Sequence, residues 1–377
     1  MVEKRVWAEI DLDKIKTNLL NVRAKLSENT KLCAVIKANG YGHGSVQIAK
    51  YTEDIIDTFA VATIEEALQL RGAGIKCDIL ILGYLLPCFY ESAIENSVTM
   101  TVFSKEDAKN ISECAKKIGK KAKIHIALDT GMGRIGFDMS GKSVDTVLEI
   151  VKLENVFTEG IFTHFATADE ENKDYAMKQK KLFDGFCKSL EENGINIPMK
   201  HIANSAGIME FDFLEYDMAR CGIITYGLYP SDEVIRENLE IFPAMEIKTH
   251  IAHKKVVNKG TCISYGATYK AEKEKVIFTI PVGYADGYPR LLSNCGRVLI
   301  NGKSAPIVGR VCMDQFMVDG DGIDANVGDE VILLGKSGEE EITTDEIAKF
   351  AGTINYEITC GISGRVPRIY KGENINE

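Results

Sequence analysis

The segment that decides the fold is Cys33-Ala34-Val35-Ile36-Lys37-Ala38-Asn39-Gly40-Tyr41-Gly42-His43-Gly44. Its four leading apolar residues predict a short buried strand of a parallel sheet, and a loop with three glycines follows. Lys37 is therefore predicted at the carboxyl end of a strand, where a barrel carries its reactive groups. An amine that is partly desolvated there can lose its proton and form a Schiff base with a carbonyl. A lysine that only marks the end of a strand is the alternative. The glycine loop favours the first interpretation, because it lets a ligand approach the backbone.

Short apolar runs alternate with amphipathic segments between about residues 31 and 220. This pattern predicts an α/β protein with a (β/α)₈ TIM-type barrel. The predicted strands are Cys33–Ile36, Phe59–Ala62, Ile79–Leu82, Val98–Val102, Ala122–Leu128, Val156–Phe162, Met199–Ile202 and Tyr216–Ala219. A doubly wound open sheet is the competing architecture, but the Gly-x-Gly-x-x-Gly turn of dinucleotide-binding folds is missing.

The pattern changes after about residue 240, where strand-like segments replace the helical ones. Asn301-Gly302 between two such segments is a strong hairpin signal, and no long helix is predicted before Thr344–Phe350. We therefore predict a barrel over residues 1–240, followed by a mostly β C-terminal domain over residues 241–377. The opening strand, residues 5–10, has no helix partner in the barrel and is a candidate to pair with the C-terminal domain.

Charge and composition narrow the classes of function. The 377 residues carry 45 basic and 55 acidic side chains, a formal net charge of −10, with both signs interspersed. This balance argues against nucleic-acid and membrane binding, which need a concentrated basic face. The first residues lack the apolar core of a signal peptide, and the ten cysteines are irregularly spaced. We therefore expect reduced thiols, a cytoplasmic location and no metal site.

Polar clusters follow four of the predicted barrel strands, at the ends where a barrel builds its active site. They are Asp129–Arg134, Thr163–Phe165, Ala203–Gly207 and Arg220–Ile223. Barrel phosphate sites commonly use the loops after strands seven and eight, with backbone amides and a small hydroxyl residue. Ser205, Gly222 and Ile223 fit that description. Taken singly, Ser205 also suits a helix N-cap and the arginines suit a solvated surface. Their occurrence together favours a binding site.

Six motifs, spread along nearly the whole chain, resemble those of the bacterial alanine racemases, fold type III enzymes that use pyridoxal 5′-phosphate (PLP). The motifs are Ala34–Gly44, Asp129–Arg134, Ser264-Tyr265-Gly266, Gly283-Tyr284-Ala285-Asp286-Gly287, Val311-Cys312-Met313-Asp314 and Arg365-Val366-Pro367-Arg368. The first is a specific signature, and the set is very specific. The resemblance implies an isomerase that interconverts L-alanine and D-alanine and supplies D-alanine for cell-wall peptidoglycan.

The resemblance also assigns roles to the cofactor site. Lys37 would carry PLP covalently, Arg134 would hydrogen-bond its phenolic oxygen, and Arg220 would face the pyridine nitrogen with His164 behind it. An arginine keeps its proton, so the ring would be a weaker electron sink and transamination would be limited. The phosphate would be held by Tyr41, Ser205, Tyr356 and the backbone of Gly222 and Ile223.

Racemisation also needs a base on each face of the substrate's α-carbon. By the same resemblance, Lys37 would take the proton from D-alanine and Tyr265 would take it from L-alanine. Arg220 and His164 are expected to act as cationic neighbours that let a tyrosine serve as a base near neutral pH.

The family pattern further implies a homodimer with shared active sites. Tyr265 would come from the partner subunit, as would Met313, whose backbone amide would bind the substrate carboxylate beside Arg134. The residues alone favour ordinary core roles for Tyr265 and Met313, so this expectation rests on the resemblance.

The chain departs from the family at one position. Many members carry a carbamylated lysine two residues before the Asp of the Asp-Thr-Gly-Met-Gly-Arg motif, and its negative charge orients the arginine. Ala127 occupies that position here, and its methyl group can neither be carbamylated nor supply a negative charge to orient the arginine. We expect Arg134 to be held by another group, such as a bound anion with a neighbouring polar side chain.

Three alternatives to an alanine racemase stay open. A serine or alanine/serine racemase shares the fold, because a small pocket rejects one extra hydroxyl only weakly. A non-catalytic PLP carrier shares the barrel and a similar lysine but is single-domain. A PLP-dependent diamino-acid decarboxylase combines the same two domain types but would want an acidic partner for the pyridine nitrogen, where this chain has Arg220.

Overall fold

The computed structural model describes residues 4–211 and 216–373, which form two compact units. The barrel unit comprises residues 14–40, 45–211 and 216–242, and the sheet unit comprises residues 4–13, 41–44 and 243–373. The strands are β1 (Val6–Asp11), β2 (Lys31–Val35), β3 (Thr58–Val61), β4 (Asp78–Ile81), β5 (Val98–Val102), β6 (Ala122–Ala127), β7 (Val156–Phe162), β8 (Met199–His201), β9 (Met218–Cys221), β10 (Met245–His250), β11 (His253–Val257), β12 (Cys262–Ile263), β13 (Tyr269–Lys270), β14 (Lys275–Ile280), β15 (Arg297–Ile300), β16 (Lys303–Val308), β17 (Phe316–Asp319), β18 (Glu330–Ser337), β19 (Glu340–Ile342) and β20 (Arg368–Lys371). The helices are α1 (Leu12–Lys25), α2 (Lys37–Tyr41), α3 (Ser45–Thr52), α4 (Ile64–Gly72), α5 (Tyr90–Glu95), α6 (Lys105–Lys117), α7 (Gly141–Ile150), α8 (Asp174–Glu192), α9 (Ser205–Glu210), α10 (Thr344–Ala351) and α11 (Asn355–Cys360).

Eight parallel strands form the barrel unit in the order β8-β7-β6-β5-β4-β3-β2-β9. At the seam, the backbone N–H of Asp217 donates to the carbonyl of Lys200 over 3.0 Å, and that of Arg220 to Ala203 over 3.1 Å. The predicted (β/α)₈ barrel is confirmed. The first and last residues of each predicted strand lie within two residues of those of an observed strand. Strands β3, β5 and β9 are buried along their whole length, as expected of a parallel sheet covered on both faces.

The segment labelled α2 (Lys37–Tyr41), which follows β2, is a left-handed turn rather than a right-handed helix or an open loop. The φ angles of its last four residues lie between 50° and 61°, and these residues are Ala38, Asn39, Gly40 and Tyr41. For a non-glycine residue this conformation costs about 1–2 kcal/mol. Asn tolerates it best, but Ala38 and Tyr41 gain nothing from it locally. Strain of this kind persists only where the surroundings enforce it, and it is concentrated at functional sites.

Glu66 is one group that enforces the turn. Its Oε1 accepts a hydrogen bond from the backbone N–H of Ala38 over 2.6 Å, and its Oε2 accepts one from Ala62 over 2.8 Å. The backbone N–H of Gly40 donates to the carbonyl of Ile36 over 2.8 Å. The carboxylate of helix α4 thus ties the turn to the loop after β3, and it holds Lys37 at the end of its strand.

The sheet unit is built on a ten-stranded sheet with the path β11-β14-β17-β16-β15-β18-β10-β1-β20, on which β19 pairs with β18. The opening strand β1 lies between β10, antiparallel, and β20, parallel, so its predicted pairing outside the barrel is confirmed. Strands β15 and β16 form the predicted hairpin, in which Asn301 has φ 50° and Gly302 has φ 75°, as in a type I′ turn. Among the described residues, no helix is both long and apolar enough to cross a membrane.

Candidate active site

Four basic side chains or imidazoles gather near the carboxyl ends of the barrel strands. Lys37 follows β2 and is half-buried, Arg134 lies in the exposed loop after β6, and His164 follows β7. Arg220 lies within β9, so the prediction that it follows the eighth barrel strand is wrong. The charges of Lys37, Arg134 and Arg220 all act on His164, which brings the four predicted residues into one electrostatic environment.

Arg220 is the buried centre of this group, with 3 % of its surface exposed. Its Nη1 donates to His201 Nδ1 over 2.7 Å and to the His201 carbonyl over 3.2 Å. Its Nη2 donates to the carbonyls of Thr163 and Ile202 over 2.8 and 3.1 Å and faces His164 Nδ1 at 3.3 Å. Burial lowers the pKa of the guanidinium to about 10, so it stays protonated at neutral pH. None of these acceptors is a carboxylate, so the guanidinium charge is solvated by neutral groups.

His164 is neutral at physiological pH. Burial, followed by the positive charges of Arg220, Arg134 and Lys37, lowers its pKa to about 3. A neutral imidazole can accept a hydrogen bond from Arg220 without repelling it. The expectation that His164 supplies a second positive charge is therefore wrong, and Arg220 alone carries the charge at this point.

Gln179 on α8 joins the loops that carry Arg134 and His164, and it was missed in the sequence. The side chain is fully buried, its Nε2 donates to the His164 carbonyl over 2.9 Å, and its Oε1 accepts from the Ala166 N–H over 2.9 Å. Its Nε2 also lies 3.3 Å from the hydroxyl of Thr130, in the Arg134 loop. A lone glutamine on the inner face of a helix carries no sequence signal that separates this role from a surface one.

The loops after β8 and β9 meet through Ser205. The backbone N–H of Gly222 donates to Ser205 Oγ over 2.9 Å, and Ser205 is 5 % exposed. Asn204, not Ser205, caps helix α9, because its side chain accepts from the N–H of Gly207 over 2.9 Å. The N-cap interpretation of Ser205 is therefore wrong. Ile223 begins the short 3₁₀ turn that follows Gly222.

The remaining predicted residues belong to the sheet unit. The rings of Tyr41 and Tyr356 lie with centroids 6.1 Å apart, Tyr41 at the end of the left-handed turn and Tyr356 on α11. Gly42 beside Tyr41 cannot bear a side chain, since a Cβ there would lie 2.0 Å from the Thr359 carbonyl oxygen. This close packing fixes Tyr41 against α11.

Tyr265 and Met313 lie on adjoining loops of the sheet unit and are strongly exposed. Tyr265 is 72 % exposed and Met313 52 %. Ser264, with φ 65°, donates its hydroxyl hydrogen to the Arg310 carbonyl over 2.6 Å and lies 3.4 Å from Cys312 Sγ. The buried roles that the residues alone favoured for Tyr265 and Met313 are therefore wrong for this chain by itself.

The donor set of the barrel unit suits a phosphorylated carbonyl compound. Lys37 offers an amine for the carbonyl, and Ser205 offers a hydroxyl whose oxygen is already oriented by Gly222. Arg220 offers a guanidinium whose hydrogen-bond partners, within residues 4–211 and 216–373, include no carboxylate. This combination of nucleophile, hydroxyl and buried cation is the chemistry that PLP requires of a protein.

Comparison with known proteins gives one consistent result. The chain matches the model "Alanine racemase, N-terminal domain" over residues 10–230 and "Alanine racemase, C-terminal domain" over residues 244–370. It is 51 % identical to the alanine racemase of Clostridium perfringens (strain SM101), over 98 % of this chain and 96 % of that protein. It is 48 % identical to the alanine racemase of Methanococcus maripaludis, over 98 % of this chain and all of that protein.

Solved structures are similar in the same way. The alanine racemase of Clostridium difficile 630 superposes with a TM-score of 0.95 at 48 % identity, covering 99 % of this chain and 97 % of that chain. The alanine racemase of Bacillus anthracis with bound L-Ala-P superposes with a TM-score of 0.93 at 40 % identity, covering 99 % and 96 %.

Proposed function

This chain belongs to the alanine racemase family of PLP-dependent isomerases, and from that premise we propose that it interconverts L- and D-alanine by a two-base mechanism. The observation that carries the proposal is Arg220, a buried guanidinium whose hydrogen-bond acceptors are all neutral. A carboxylate at this place would favour the decarboxylase alternative, since it would hold a proton for the ring nitrogen. Arg220 keeps its own proton, so it offers a hydrogen bond without protonating the ring.

The cofactor would be held by the predicted set of residues. Bound PLP supplies the electron sink that acidifies the α-proton of an amino acid. Lys37 would hold its carbonyl carbon, Arg220 its ring nitrogen and Arg134 its phenolic oxygen. The phosphate would be held by Tyr41, Ser205, Tyr356, Gly222 and Ile223, with His164 supporting Arg220.

Two residues would move the α-proton. Lys37 Nζ would take it from D-alanine, and Tyr265 Oη would take it from L-alanine on the opposite face. When Lys37 takes the proton from D-alanine, Tyr265 would donate one to the opposite face to give L-alanine. The two residues would exchange these roles in the reverse direction. The half-buried Lys37 and the strained turn that holds it support this assignment.

The second base and a substrate contact would come from a partner chain. Tyr265 and Met313 are exposed in the single chain, as expected of groups that complete the active site of a partner chain. Their loops are connected by the contact between Ser264 Oγ and Cys312 Sγ. Met313 would bind the substrate carboxylate through its backbone amide, beside Arg134. We propose a homodimer in which residues 1–240 supply the cofactor site apart from Tyr356, and residues 241–377 supply Tyr356 and the second base. We further propose a cytoplasmic enzyme that provides D-alanine for peptidoglycan.

Activity is expected to be independent of bicarbonate. Ala127 ends β6 with 1 % of its surface exposed, and a buried methyl group cannot carry a carbamate. Initial rates measured with added sodium bicarbonate should match those with sodium chloride at the same ionic strength, which keeps electrostatic screening equal. A specific rise with bicarbonate would contradict this expectation, and Ala127→Lys provides the comparison variant in which such a rise becomes chemically possible.

The reaction itself is tested by exchange of the α-proton. We expect the α-proton signal of L-alanine to disappear in D₂O with the PLP-loaded enzyme, while D-alanine appears and larger amino acids stay unchanged. Equal exchange of L-serine would make the protein an alanine/serine racemase. If the folded, PLP-loaded protein exchanged no amino acid, the enzyme assignment would be wrong and the carrier alternative would return.

A further inference from the structure

A chain of hydrogen bonds runs from Arg220 through the inside of the barrel. Arg220 Nη1 donates to His201 Nδ1 over 2.7 Å, and His201 Nε2 lies 2.9 Å from His125 Nδ1. His125 Nε2 lies 3.4 Å from Glu159 Oε2. The two imidazoles are buried, with 0 % and 2 % of their surfaces exposed. The residues come from β9, β8, β6 and β7, so only the closed barrel brings them together.

The chain has only one consistent arrangement of protons. A guanidinium can only donate, so His201 Nδ1 must accept and its proton must sit on Nε2. His201 Nε2–H then donates to His125 Nδ1, which leaves the His125 proton on Nε2, directed at Glu159. Burial lowers the pKa of both imidazoles, so both are neutral. The tautomer of each neutral histidine therefore fixes the tautomer of the next histidine in the hydrogen-bond chain.

Glu159 is the fixed end of this chain. Burial would raise the pKa of its carboxyl, but hydrogen bonds from His125 and Lys123 lower the pKa to about 2, so the group stays ionised. Lys123 Nζ lies 3.0 Å from Glu159 and 3.3 Å from Asp78, which begins β4. A carboxylate can only accept, so it requires the Nε2–H form of His125.

The backbone of β7 allows Glu159 and His125 to lie next to each other. On β7, Thr158 pairs with Ile124 and Gly160 pairs with His125, which leaves Glu159 as the extra residue of a bulge. Bulges re-aim side chains, and this one accompanies the contact of Glu159 with the barrel interior. A Cβ on Gly160 would lie 2.7 Å from three atoms of the His125 ring, so only glycine lets the ring lie there.

We propose that His125 and Glu159 are positioning residues for the reaction: they fix the tautomer of His201, and through it the orientation of Arg220 toward the cofactor. This inference rests on the role proposed for Arg220. A His201 with its proton on Nδ1 would turn an N–H toward the guanidinium and push it away. Loss of the acceptor at Glu159 permits that inverted arrangement.

The first test reads the protons directly in the PLP-loaded enzyme. Two-bond ¹H–¹⁵N correlation of ¹⁵N-histidine protein, assigned by single substitution among the six histidines, should show His125 and His201 as neutral Nε2–H forms. A charged ring or an Nδ1–H form at either position would overturn the proposal. This result does not depend on which amino acid the enzyme racemises, so it is separable from failure of the proposed function.

The second test uses variants at Glu159. Glu159→Leu removes the acceptor, and we expect the Kd for PLP to rise and kcat to fall by about tenfold each, with KM little changed. The absorption maximum of bound PLP should shift as well. Glu159→Gln keeps an acceptor oxygen but not the charge, so it should stay within about twofold of the parent.

Thr158→Val is the matched control. Thr158 precedes Glu159 on β7, and its buried hydroxyl has no hydrogen-bond partner among the described residues, so PLP affinity, spectrum and kcat should be unchanged. Two results would overturn the proposal: Glu159→Leu behaving like Thr158→Val, or Glu159→Gln being as impaired as Glu159→Leu. If Glu159→Leu does not fold, Glu159→Gln and the tautomer measurement decide.

Discussion

Replacing Lys37 by alanine is expected to lower alanine racemisation by about 10⁴-fold in both directions. The variant loses two functions at once, the covalent hold on PLP and the base for D-alanine. The two directions must fall together, since one equilibrium links them. Turnover is followed by D-alanine formation from L-alanine and by the reverse reaction. The absorption band of covalently bound PLP should be lost in parallel.

Lys31→Ala is the matched control for this experiment, because Lys31 is an exposed lysine that begins the same strand. It should retain both the absorption band and the activity. An active Lys37→Ala enzyme would remove Lys37 from the mechanism. Recovery of the PLP band by added methylamine, without recovery of full turnover, would separate the loss of the covalent hold from the loss of the base.

Replacing Tyr265 by phenylalanine is expected to reduce racemisation by about 10³-fold while PLP stays bound. The prediction is specific to one face of the substrate. Lys37 is intact, so D-alanine should still exchange its α-proton with D₂O, whereas exchange of L-alanine should stop. Tyr269→Phe, four residues further along the chain, is the control and should behave like the parent. Loss of both exchanges, or of neither, would rule out Tyr265 as the base for L-alanine.

Mixing the two inactive variants tests whether the active sites are shared. In a mixed dimer, the Tyr265→Phe chain keeps Lys37 and the Lys37→Ala chain keeps Tyr265, so one complete site forms if Tyr265 crosses to the partner. Random reassociation should then restore about a quarter of the parent activity, because half the dimers are mixed and each has one complete site. No recovery after confirmed exchange of chains would place both bases in one subunit.

The barrel was predictable from the sequence because its strands are short apolar runs buried on both faces. The ends of β5 and β7 were predicted to the residue, since polar residues or turns bound those runs sharply. The hairpin at Asn301 was predictable because positive φ at two adjacent residues selects Asn-Gly. These signals are local, and they need no knowledge of the partner strand.

The geometry around Arg220 could not be predicted in this way. His125 and His201 are single histidines within strands β6 and β8, where a histidine is usually a satisfied core residue. Their contact depends on the register of strands that are distant in the chain, and on the bulge at Glu159, which the sequence does not mark. The charge of His164 could not be predicted for the same reason: burial, followed by the positive charges of Arg220, Arg134 and Lys37, lowers the pKa of its imidazole, and burial depends on packing.

The left-handed turn escaped prediction for a different reason. Gly40 is a sequence signal for a positive φ, but Ala38 and Tyr41 are not. Neighbouring residues such as Glu66 impose the left-handed conformation on the turn. Intrinsic preference is a weak guide wherever tertiary contacts enforce strain.

The close packing of the His125 ring against Gly160 also limits how the sequence of this barrel can change in evolution. Any side chain at position 160 collides with the imidazole, and a smaller residue at position 125 would leave both His201 and Glu159 without their partner. The two positions therefore form an epistatic pair: each substitution is harmful alone, and only a joint change opens a route to a different interior. Lineages that lost this histidine should have become free to vary at position 160, whereas those that kept it should not.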